Sequence, residues 1–129
     1  MQTPMNSYFQ TKVQTASPAQ LLILLYDGAI RFCRLGIEAI RGRKYDQANE
    51  NLLKAQDIVR ELAVTLDRRA EISKDLLRLY DYFMERLREA NLKKAEEPAE
   101  EILGYLVELR ETWVRAEAIQ RKAGAARHG

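Results

Sequence analysis

The side chains here that could do chemistry are few, and their spacing excludes most of it. There is one cysteine, Cys33, and one histidine, His128. A di-metal carboxylate centre in a helical protein needs inward carboxylates with a Glu-x-x-His pair, and His128 stands alone in the last residues. No Cys/His set can hold zinc, and a single cysteine forms no internal disulfide. Cys33 falls on an apolar helical stripe, where a thiol acts as a small hydrophobe. No Gly-rich phosphate loop, nucleophile elbow or Cys–His pair occurs. Asp27 and Glu38 lie with Arg31, Arg34 and Arg41 on one helical stripe, which reads as a solvated charged face. Arg41-Gly42-Arg43-Lys44 and Arg68-Arg69 could touch phosphates, but no aromatic platform accompanies them. With 21 Lys and Arg against 19 Asp and Glu, the net charge is only +2, unlike a dedicated nucleic-acid binder. The expectation is a non-enzyme with no cofactor, no metal and no nucleic acid.

The elements that would carry these residues are long helices. At 129 residues the chain fits one domain, and 47% hydrophobic residues suffice for a core. Three prolines and six glycines leave few breaks. Ser17-Pro18-Ala19-Gln20 has the form of a capping box with proline at the first helical position. The first helix should run to about Arg41, with Gly42 as the left-handed residue after it. A second should run from about Asp46, a candidate cap, to Leu66. A third should span Ser73 to Leu92. A fourth should open around Pro98 and fade by about Arg121. Residues 1–16 read as an extended arm, 17–121 as the bundle and 122–129 as a flexible tail. The arm has no apolar signal-peptide core, and the longest uncharged run, Val13 to Tyr26, is too short to span a bilayer. A soluble cytoplasmic protein without membrane insertion is therefore expected.

Heptad-like spacing predicts the core. The second helix offers Ala48, Leu52, Ala55, Val59, Leu62 and Leu66; the third Leu76, Tyr80, Phe83, Leu87 and Ala90; the fourth Ile102, Leu106, Leu109, Trp113 and Ala116. The first offers Leu22, Tyr26, Ala29, Cys33 and Gly36, with Leu21, Leu25, Gly28, Phe32 and Leu35 beside them. Four such helices with short connectors predict an all-α, antiparallel four-helix bundle with an extended N-terminal arm. Leu25-Tyr26-Asp27 recurs as Leu79-Tyr80-Asp81, which raises two readings: a pair of related helical hairpins, or the chance alignment that heptad helices always allow. The seam also suits either a monomer or a homodimer.

Some apolar residues are surplus to these seams. Leu24 lies in line with Asp27, Arg31 and Arg34. Leu53 and Val64 on the second helix, Leu79 and Tyr82 on the third, and Tyr105, Val107 and Val114 on the fourth also fall off the stripes. Together they suggest an apolar groove for a partner, partly covered by anchors in the arm.

Several motifs then carry a family resemblance. They are Tyr8, Val13-Gln14-Thr15-Ala16-Ser17-Pro18, Leu21, Leu25-Tyr26-Asp27-Gly28-Ala29, Lys54-Ala55-Gln56-Asp57-Ile58, Glu61-Leu62 and Leu66-Asp67. Further on come Leu79-Tyr80-Asp81-Tyr82, Leu87, Ala90-Asn91 and Leu109-Arg110-Glu111-Thr112-Trp113. In this order and spacing the chain resembles the flagellar export chaperone family FliS from residue 8 to about 115. The resemblance implies a helical bundle that binds the disordered C-terminal segment of flagellin, blocks premature polymerisation and delivers flagellin to components of the flagellar type III export apparatus. Tyr8 joins the candidate partner-binding residues on this ground. The competing reading is a helical adaptor or regulatory protein that binds another protein or nucleic acid through the basic turns.

Overall fold

The computed structural model describes residues 14–128, with side chains to residue 125. The arm expected over residues 1–16, and Tyr8 with it, falls almost wholly outside them. Among the described residues four long helices make up the bundle: α1 (Pro18–Arg41), α2 (Tyr45–Thr65), α3 (Ser73–Lys93) and α4 (Glu96–His128); residues 14–15, at the end of the expected arm, are helical rather than extended. There is no strand among the described residues. Each helix packs on the next, and α4 closes the ring against α1. The ion pairs Arg41–Glu96 and Asp27–Arg110 run in opposite chain directions on α1 and α4, as antiparallel neighbours require. The molecule is an antiparallel four-helix bundle.

Local sequence explains the helix ends. Ser17 caps α1 through the expected box: the Gln20 N–H donates to Ser17 Oγ at 3.2 Å, and the Ser17 N–H donates to Gln20 Oε1 at 3.0 Å. The turn after α1 departs from expectation. Gly42 keeps φ −81°, and Arg43 takes the left-handed conformation at φ 56°. The Lys44 N–H reaches back to Ala39 O at 2.8 Å, and the Arg43 N–H to Ile40 O at 3.0 Å. These are the paired bonds of a Schellman closure, which puts the left-handed residue one position after Gly42. Lys94 closes α3 likewise at φ 50°, with the Ala95 N–H on Ala90 O. So tight a turn starts α2 at Tyr45, with Lys44 in the cap position. Asp46 lies inside the first turn and makes no cap bond, but its charge still suits the helix dipole there.

The seams read from the sequence form the core. Tyr26, Ala29, Cys33, Ala48, Leu52, Ala55, Val59, Leu62, Tyr80, Phe83, Leu87, Ile102 and Leu106 are buried. Gly36 and Gly28 let α1 lie close to α2. A Cβ on Gly36 would stand 2.7 Å from the Leu52 side chain, and one on Gly28 2.9 Å from Ile58 Cδ1. The repeated tyrosines meet across the diagonal between α1 and α3, with hydroxyls 2.7 Å apart. Burial raises both phenol pKa values, so both stay protonated near neutral pH.

The fourth seam fades. Leu109 and Trp113 are only half-buried, and Ala116 is exposed. The reason is length, since α4 has 33 residues against 24 in α1 and 21 in α3. Phe83 stacks on Tyr105, so Ser73, where α3 begins, lies level with about Arg115. Asp27 pairs with Arg110, so Pro18, where α1 begins, lies level with about Ile119. Helices α1 and α3 both begin at those levels. The helix itself does not fade at Arg121 but runs to His128. Most residues after Trp113 are alanines and long straight side chains, which are strong helix formers, and Gly124 is the weakest position in the described stretch.

Candidate partner-binding surface

Leu24 is half-buried at the start of α1. With Ile23, Gln20, Ala16 and Thr15 it lines a hollow of about 330 Å³ where the chain enters the bundle. Leu79 and Val107 are half-buried and pack against the core, and Val114 is half-buried further along α4. Leu53 and Val64 stand exposed on the outer side of α2, Val64 at 68%. They are eleven residues apart, roughly 16 Å along one helix face.

Tyr82 and Tyr105 are the pair that the fold brings together, each 40% exposed at the seam between α3 and α4. Tyr105 lies flat on Phe83, ring centres 5.9 Å apart. The Tyr82 hydroxyl donates to Glu101 Oε2 at 2.7 Å, and Arg86 Nε donates to Glu101 Oε1 at 2.7 Å. Arg86 also donates to Glu89, which accepts in turn from Lys93. The hydrogen bond to Glu101 raises the Tyr82 pKa, and the same bond together with Arg86 lowers that of Glu101. The carboxylate therefore stays ionised and fixes the Tyr82 ring. The result is a braced aromatic shelf.

The nine residues proposed from the sequence thus do not make one patch. Tyr82 and Tyr105 share a shelf. Leu53 and Val64 share a face of α2, Val107 belongs to α1/α4, Leu24 to the start of α1, and Tyr8 lies outside the described residues.

A second surface was hidden in what the sequence presents as a solvated charged stripe. Between α1 and α4 runs a groove of about 480 Å³, lined by Asp27, Ile30, Arg31, Arg34, Leu35, Glu38, Val107, Arg110 and Glu111. It continues past Arg34 and Glu38 into a smaller hollow reaching Ile37, Arg41, Glu100 and Leu103. Arg110 pairs with Asp27 across it, and Arg41 ties Glu96 and Glu100 at its far end. Apolar floor and charged walls suit an amphipathic segment. Only the Leu35 stripe and Val107 hinted at it in the sequence, because a groove between two helices leaves no period in either one.

Among the described residues no group of three His, Cys, Asp or Glu side chains could hold a metal ion. Cys33 is buried, its thiol pushed up to about 12 by burial, and it donates to Ala99 O at 3.3 Å. No helix among the described residues is long and apolar enough to cross a membrane.

Comparison with known proteins agrees. A family model described as flagellar protein FliS matches residues 1–120. A flagellar secretion chaperone FliS of Bacillus subtilis is 40% identical over 129 residues, covering 100% of this chain and 95% of that protein. The flagellar secretion chaperone FliS of Campylobacter jejuni is 32% identical over 84% of this chain and 86% of its own. That of Salmonella typhimurium is 29% identical over 81% and 79%. A match of this extent, on an antiparallel helical bundle with grooved outer faces, places the chain in the FliS family of flagellar secretion chaperones.

Proposed function

We propose that this chain is a cytosolic holdase for flagellin. It binds the disordered C-terminal segment of newly made flagellin, prevents its premature polymerisation, and hands it to the flagellar type III export apparatus. The observation that carries this reading is the full-length similarity to a flagellar secretion chaperone. The surfaces support it physically. A disordered segment that folds on docking costs on the order of 2–5 kcal/mol in ordering. Several separated apolar footholds offset that cost better than one pocket, and the bundle offers them on more than one face. Tyr8, Leu24, Leu53, Val64, Leu79, Tyr82, Tyr105, Val107 and Val114 are the proposed contacts, and the α1/α4 groove is the proposed seat for an amphipathic helix. Holding needs no catalysis and no cofactor.

The test is calorimetry and circular dichroism with a flagellin C-terminal peptide. A one-to-one complex with a gain in helix at micromolar concentration is expected. Tyr82→Ala should weaken binding with little change in Tm, since Tyr82 is exposed. Absence of both heat and helical gain would refute the reading.

A further inference from the structure

After Leu106 the hold on α4 weakens step by step. Leu106 is sealed, whereas Leu109 and Trp113, with Leu22 and Leu25 of α1, only lean on the core. The links to neighbouring helices thin out along the same course. Near the connector, Arg41 holds Glu96 and Glu100, and Cys33 donates to Ala99 O. Towards α3, Tyr105 stacks on Phe83. Arg110 on Asp27 is the last ion pair between α1 and α4 among the described residues. The pairs further on, Arg115–Glu111 and Arg121–Glu117, stay within α4. Both partners of the Asp27–Arg110 pair are half-exposed. Beneath it the buried Trp113 indole N–H lies close to the Tyr26 hydroxyl. One turn before Glu108, Gly104 has no atom within 4 Å of where a Cβ would stand, so packing does not require a glycine there. A glycine inside a helix adds backbone freedom at that turn.

We propose that residues 109–125 of α4 form a lid on this end of the bundle, hinged at the Gly104 turn and latched to α1 by the Asp27–Arg110 pair. Leu106 and the residues before it stay seated when the lid opens. Arg110 and Glu111 then move away from Asp27, Arg31 and Arg34, so the α1/α4 groove widens from that end. Arg41, with Glu96 and Glu100, keeps the other end closed. A half-exposed ion pair is a weak latch that salt screens, which leaves the lid poised to open. Segments with few buried contacts are where a folded chain opens locally. Simple fraying would differ in two ways: it would be graded from the C-terminus, and it would be indifferent to Asp27. The proposal does not depend on flagellin, and its test uses none.

The test is native-state hydrogen exchange of the full chain, with helical circular dichroism confirming that each variant folds. Trp113 is the single tryptophan, so acrylamide quenching of its fluorescence gives a second readout. In low salt the amides of 109–125 should share one level of protection, below that of 96–106. Asp27→Asn and Arg110→Gln should each speed exchange in 109–125 about threefold, leave 96–106 unchanged and make Trp113 easier to quench. Raising the salt from about 50 mM to about 500 mM should do the same to the wild type and nothing further to either variant. The exchanged pair Asp27→Arg, Arg110→Asp should restore protection, and Gly104→Ala should slow exchange in 109–125. Protection that falls off gradually towards the C-terminus and ignores Asp27→Asn would overturn the proposal. So would an Asp27→Asn variant that speeds 96–106 as much as 109–125, or a Gly104→Ala variant that opens as fast as the wild type.

Discussion

From Pro98 to Leu106, α4 buries Ala99, Ile102 and Leu106 completely, whereas from Leu109 to Ala125 no residue is fully buried. The apolar spacing is the same in both halves. What differs is the company: α1 and α3 flank the first half, and both begin near the level of Arg115 to Ile119 in the second. Trp113 marks the border. Its indole N–H is buried without a hydrogen-bond partner among the described residues, yet lies near enough to Tyr26 to offset in part the rise that burial imposes on that phenol. A helix that is locked at one end and sparsely held at the other can brace the bundle and still offer surface to a partner.

The largest effect should come from deleting the same side chain in each half. Leu106→Ala should cost about 2–5 kcal/mol, as for a sealed aliphatic position. Leu109→Ala, half-buried, should cost clearly less. Urea unfolding of both variants measures the gap, and equal losses would mean that the two halves are packed alike.

Glycines sharpen the contrast between packed and open helix faces. Gly36→Ala drives a Cβ to within 2.7 Å of Leu52 in the core. It should cost about 1–3 kcal/mol, the usual range for overpacking. Thermal denaturation with an unchanged or higher Tm would show that α1 and α2 can separate freely.

Cys33 reports on the sealed half, because its thiol contacts Ala99. Burial raises its pKa from 9.0 to about 12. A raised pKa means that the unfolded state loses its proton first. The stability linked to this thiol is thus fully present below pH 9 and is lost as pH climbs towards 12. Relative to Cys33→Ala, the native chain should lose on the order of 1 kcal/mol between pH 8 and pH 10. A flat difference across that range would mean that the thiol is already open to water.

The smallest effect carries the opposite sign. Gly104→Ala should stabilise the fold by about 0.5–1 kcal/mol, since the new methyl meets no atom and the unfolded chain loses freedom. A lower Tm in thermal denaturation would mean that the glycine serves the bundle itself.

The candidate surface was legible in the sequence only in pieces. Tyr82 and Tyr105 showed as off-seam aromatics, but that they share one shelf braced by Glu101 depends on the pairing of α3 with α4. Leu79 and Val107 showed as surplus too, yet both lean on the core, since a stripe in a bundle of four helices is wider than a strict heptad seam. Asp27, Arg34 and Glu38 looked like plain solvated charge, and the fold makes them groove walls.

By itself the sequence determined the helices, the Ser17 cap, the seams of α1 to α3 and the bundle, because hydrogen bonding along a helix and the period of apolar residues are local properties. Tertiary structure alone decided where the fourth seam stops being core, which residue of the α1–α2 turn goes left-handed, and that Tyr26 and Tyr80 share a hydrogen bond. Burial is the reason. It depends on which neighbours stand beside a helix and for how long, and neither is written in the helix's own period.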